Sequence, residues 1–154
     1  MFLTIERGKP KRCLKMSTKR RNIFMSLLPA MLLLSSCMQT NTSDAKETFR
    51  YWAGTDAPAD LELLNGQYWQ SQHFSKEYIM YLKFKPTQDW WNKYVNFNSI
   101  SEDQGSWNFP NDAPTWFYPS KNSVRYGRGD ELDQDSRYFR DSLTGICYIY
   151  EVQQ

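Results

Sequence analysis

The chain has 154 residues, 19 Lys and Arg against 17 Asp and Glu, and 25 aromatic residues, so it is long enough for one domain with a ring-rich core. The charge is unevenly placed. Residues 1–36 hold eight basic residues and one acid, which leaves residues 37–154 with 11 basic against 16 acidic side chains, a net of −5. That balance gives no support for nucleic-acid binding, which needs a basic face, and the cysteines, Cys13, Cys37 and Cys147, exclude a metal site built on cysteine pairs.

In chain order, Lys15, Lys19, Arg20 and Arg21 precede an apolar run from Ile23 to Leu34, broken only by Ser26 and Pro29. The run holds 12 residues, against about 18 to 20 for a membrane-spanning helix, and it has the length of a signal h-region. Its basic flank orients that end toward the cytoplasm. The run closes on Leu32-Leu33-Leu34-Ser35-Ser36-Cys37, with small residues before a nucleophilic thiol. This order resembles the signal of a bacterial lipoprotein. The resemblance implies removal of residues 1–36, a diacylglyceryl group on Cys37 and acylation of the new amine with a fatty acid such as palmitate. One myristoyl-sized chain binds a bilayer only marginally, whereas two or three hold a protein durably. The competing reading is an ordinary secretory signal or an uncleaved anchor. Met16 would open a compact signal, so residues 1–15 read as a start-site extension. Met38, rather than Asp, follows the cysteine. By the same resemblance the protein belongs in the bacterial cell envelope, anchored in the outer membrane and facing the periplasm.

Residues 37–48 read as a lipidated, flexible polar tether, and residues 49–154 as a single aromatic-rich globular domain. The expected fold is α+β, a mostly antiparallel sheet of four to six strands with one packed helix over about 87–98. Phe49 to Trp52 opens the body, and Gly54 to Pro58 reads as a loop. Leu61 to Leu64 and Gln67 to Gln70 flank Asn65-Gly66, a hairpin signal, since both turn residues tolerate positive φ. A helical turn over Ala59 to Asn65, capped by Gly66, competes with it. Glu77 to Lys85 alternates, with Tyr78, Met80, Leu82 and Phe84 on one face and Ile79 and Tyr81 on the other. Thr87 caps the helix, Asp89 and Lys93 are spaced to pair, and Trp90 or Trp91 with Tyr94, Val95 and Phe97 forms its apolar face. Residues 99–122 are irregular and must be pinned by their rings. Ser123 to Tyr126 is a short strand. Ser136 to Asp141 and Ile146 to Val152 form a hairpin, with Ile146, Tyr148, Tyr150 and Val152 on one face and Cys147, Ile149 and Glu151 on the other. Arg137 to Glu151 resembles uncharacterised envelope lipoproteins and brings no activity with it.

The candidate binding residues are Trp107, Trp116 and Tyr118, which lie outside regular periods and would offer ring platforms to a sugar or a peptide. Core filling is the competing use of such rings. The acidic stretch Asp130 to Asp135 lacks the glycine and closing glutamate of an EF-hand and reads as a solvated loop. His73, the sole histidine, has no nucleophile elbow beside it. Cys147 reads as a buried, inert thiol. No catalytic residue, metal or cofactor is expected. The expected role is a membrane-anchored, non-catalytic binding domain for a protein or glycan partner. The alternatives are a periplasmic inhibitor or immunity-type protein and a small hydrolase.

Overall fold

The computed structural model describes residues 39–72, 77–129 and 135–153, all within one compact unit, Met38–Gln154. Cys37, Cys13, His73 and residues 130–134 of the acidic loop lie outside the described residues. Among the described residues are seven strands and two helices: β1 (Thr40–Thr42), α1 (Ala45–Ala53), β2 (Leu61–Gln70), β3 (Tyr78–Pro86), α2 (Gln88–Phe97), β4 (Ser101–Glu102), β5 (Ser123–Gly127), β6 (Arg137–Asp141) and β7 (Cys147–Gln153). The strands form one sheet in the order β1-β2-β3-β7-β6-β5-β4, and every pairing is antiparallel. The α+β class therefore holds, with more strands than the four to six expected and a second helix.

That second helix corrects the tether. Residues 40–48 form β1 and the first turn of α1. Asp44 caps the helix, its Oδ1 accepting from the backbone N–H groups of Lys46 and Glu47 at 2.9 Å each. Glu47 reaches back to the Thr42 hydroxyl at 2.6 Å. The Asp44 bonds satisfy N–H groups that a helix start otherwise leaves open. At the other end Gly54 takes a left-handed φ of 70° and its N–H bonds the Arg50 carbonyl. Thr48 and Phe49 face inward and are buried.

Asn65-Gly66 is not a turn. Residues 61–70 run as one strand, with a bulge between Leu63 and Asn65 that leaves Leu64 unpaired against β3. The extra residue shifts the alternation, so that Leu61 and Leu63 before it and Tyr68 after it serve the same core. Gly66 is there for a close approach. A Cβ on it would sit 2.6 Å from Thr48 Oγ1 and 2.8 Å from Ala45 Cα, so α1 rests on the strand only because that side chain is missing.

β3 and the C-terminal hairpin match their expected alternation. Met80, Leu82, Phe84, Cys147 and Ile149 enter one core, under the two helices. Tyr81, Tyr148, Tyr150, Val152 and Phe139 enter a second core on the opposite face. Residues 103–122 cover that face without a helix. Phe117 is buried and stands edge-on to Tyr148 at 5.7 Å. Asp112 accepts from the Tyr81 hydroxyl at 3.0 Å, and Asp103 lies 3.0 Å from Nε of both Arg125 and Arg137.

α2 begins at Thr87, whose hydroxyl accepts from Trp90 N–H, and Lys93 pairs with Asp89 at 2.6 Å. Phe97 departs from the expected apolar face and is 89% exposed. The helix ends in a Schellman turn, with Ser99 at φ 52°, Ser99 N–H on Asn96 O and Ile100 N–H on Val95 O. The turn swings Ile100 into the core in place of Phe97.

Candidate functional site

An open recess of about 450 Å³, within the size range of small-molecule sites, lies where α2 crosses the β5–β6 end of the sheet; another of about 440 Å³ lies beside α1 and the start of β2. To the first, α2 supplies Gln88, Asn92 and Asn96, four residues apart and so stacked along one face. β6 supplies Arg140, and Trp91 and Tyr126 complete the wall with their rings. These rings meet edge to face at 5.5 Å, and the Arg140 guanidinium lies over Trp91 at 5.8 Å.

The polar groups are joined in a directed chain. Arg140 Nη2 donates to Gln88 Oε1 at 2.7 Å, and Gln88 Nε2 donates to Asn92 Oδ1 at 2.8 Å. Each amide oxygen accepts from one neighbour, and the Asn92 NH₂ makes no hydrogen bond among the described residues. Arg140 Nη1 donates to the Gly145 carbonyl at 3.3 Å and to the Cys147 sulfur at 3.4 Å. Among the described residues its hydrogen-bond partners are thus all uncharged, and no carboxylate pairs with it. Arg140 is half-buried as a residue, its bond to Gln88 lies at the surface, and the domain is acidic overall.

The recess lacks a described carboxylate or histidine. Cys147, below Arg140, is fully buried, and burial pushes its thiol up to about 12 while Arg140 pulls the other way. It is therefore a thiol at neutral pH, a poor nucleophile. Among the described residues no group of three or more His, Cys, Asp or Glu is placed to hold a metal.

Two other polar clusters serve the fold. Glu151 accepts from Trp52 Nε1 at 3.1 Å, from the Tyr138 hydroxyl at 3.2 Å and from the Tyr78 hydroxyl. Burial, followed by the Glu151 charge, raises the pKa of both tyrosines, so they stay protonated as donors. This ties α1 to β3, β6 and β7. Asp141 holds the β6–β7 turn. It accepts from the N–H groups of Leu143 at 2.9 Å and Thr144 at 2.7 Å, and from the Ser120 hydroxyl.

The three rings expected to bind lie on the other side of the sheet. Trp107 and Trp116 are half-buried and pack against the second core, Trp107 with its ring 5.4 Å from that of Phe139. Tyr118 is 76% exposed and stacks on Phe109 at 6.4 Å. All three belong to the covering segment 103–122, and none lines the recess. The residues that do line it were within reach of sequence reasoning only in part. The spacing of Gln88, Asn92 and Asn96 follows once the helix is placed. Arg140 joins them from 52 residues beyond Gln88, through sheet pairing.

No family model matches the chain, and comparison with curated proteins and with solved structures yields no match.

Proposed function

We propose that this chain is a lipid-anchored protein of the bacterial envelope, held through Cys37, whose domain binds a partner without catalysis in the recess between α2 and β6. The observation that carries the binding role is the half-buried Arg140, joined through Gln88 to an exposed Asn92 amide, in a cavity of about 450 Å³. Preorganised donors around a half-enclosed space favour recognition. The anchor rests on the order of basic segment, apolar run and Ser35-Ser36-Cys37. No helix among the described residues is long and apolar enough to cross a membrane.

The test is retention of solubilised envelope fractions on the immobilised chain. Asn92 is exposed, so Asn92→Trp would fill the recess without entering the core. Retention by the wild type and its loss in Asn92→Trp is the expected result. Equal retention by both, or none by the wild type, would contradict the reading.

A further inference from the structure

The ligand class can be narrowed from the donors in the recess, an inference that rests on the binding role proposed above. Gln88 spends its oxygen on Arg140 and its nitrogen on Asn92. Asn92 spends its oxygen on Gln88, which leaves its NH₂. These bonds leave the Asn92 NH₂ and the remaining guanidinium hydrogens to donate, beside one positive charge that no acid of the described residues offsets. With Nη1 on Gly145 and Cys147 and one Nη2 hydrogen on Gln88, the guanidinium keeps its Nε and second Nη2 hydrogens and its charge for a further partner, which an anion such as a carboxylate supplies.

The rest of the wall chooses between kinds of carboxylate. β5, which borders the recess, is paired on both sides, with β4 and with β6. β4 covers it only at Tyr126 and Gly127, and Asp103 N–H donates to the Arg125 carbonyl, so the edge left for the main chain of a peptide is the short stretch 123–125. The helix instead offers planar amides one turn apart, Asn92 and Asn96, about 6 Å along the axis. Such spacing suits the hydroxyl and acetamido groups of a sugar.

We infer that the recess binds an acidic sugar, with Arg140 on the carboxylate and Asn92 and Asn96 on neighbouring hydroxyl or amide groups. In an envelope, a sugar bearing a lactyl or uronic carboxylate would meet this description. The position of Asn92 gives the inference a sharp handle, because it is exposed and its exchange for a carboxylate would set a negative charge beside the anion.

The experiment is isothermal titration calorimetry on the full chain in non-ionic detergent. The probes are the disaccharide of N-acetylglucosamine and N-acetylmuramic acid, its neutral carboxamide, and acetyl-dialanine with a free carboxylate. The expected result is that the acid disaccharide binds on the order of tenfold tighter than the carboxamide, the scale of one charge-assisted hydrogen bond. Arg140→Gln should abolish that preference. Because Arg140 also packs on Trp91, Asn92→Asp provides a second variant that leaves the interior alone. It should weaken the acid about tenfold more than the carboxamide, because both lose the Asn92 donor and only the acid meets the new negative charge. Equal binding of acid and carboxamide, or a preference that survives both variants, would overturn the inference. Tighter binding of acetyl-dialanine would overturn it in favour of a peptide end, and no binding of any probe would also overturn it. Envelope fractions still retained through the recess would in each case leave the binding role standing.

Discussion

At Gly66 a single hydrogen stands where any other residue would put a carbon, and α1 depends on it. A methyl group there would lie within 2.8 Å of Thr48 and of the Ala45 backbone, too close for a side-chain rotation to relieve. Gly66→Ala should destabilise the domain by about 1–3 kcal/mol through a forced shift of the helix, measured as a lower urea midpoint. Asp141 acts through charge. The Ser120 hydroxyl, with the Thr144 and Leu143 N–H groups, holds its carboxyl down to about 2. A depressed carboxyl contributes stability that is complete above its unfolded value, about 3.9, and is lost as pH falls through the folded value. The difference in urea midpoint between wild type and Asp141→Asn should therefore be constant from neutrality to about pH 5 and shrink toward about pH 2. Asp103, lowered chiefly by the Gly105 N–H and then by Arg125 and Arg137, adds a loss of the same sign as pH falls below the ordinary carboxylate range.

Among the elements, α1 illustrates how capping can outweigh composition. Its first turn is polar and the buried positions Thr48 and Phe49 come late, so no apolar period announces it. Asp44-Ala45-Lys46-Glu47, with an N-cap acid and Glu three residues on, and Gly54 past the end, were the legible signals. Asp44→Ala should cost about 1 kcal/mol and speed hydrogen exchange of the Lys46 and Glu47 amides. β3, α2 and the β6–β7 hairpin were legible because each keeps an unbroken period, of two for the strands and near four for the helix. β2 was not, since its bulge changes phase halfway and its glycine answers to a helix that no local pattern reveals. The recess follows the same division. Its amide row is local to α2, whereas Arg140 arrives through the ladder that pairs it with Cys147. The rings of residues 103–122 lie in a segment with no period, which left binding and core filling both open. Phe117 enters the second core with Trp107 and Trp116 half-buried against it, whereas Tyr118 stays exposed.

For the whole molecule, the sheet divides two ring-rich cores, one beneath the helices and one beneath an irregular cover. The body, acidic by the sequence count from residue 37 onward, would be repelled by an anionic membrane surface, so the proposed attachment falls on lipid at Cys37. Cys37→Ser should move the protein from the detergent-rich to the aqueous phase in a cloud-point partition. A variant that stays in the detergent phase would count against the lipid anchor.

The recess beside α2 is where the functional account meets the structure most directly, and its own side chains can report on it. In a nitrogen–proton correlation spectrum, the side-chain amides of Gln88, Asn92 and Asn96 can be followed as solubilised envelope glycans are added. These signals should shift and saturate together, while those of Asn41 and Gln67, which border a separate cavity with Tyr81 and Asp112, stay in place. Still signals along α2, or movement at Asn41 and Gln67 in their stead, would contradict the binding role.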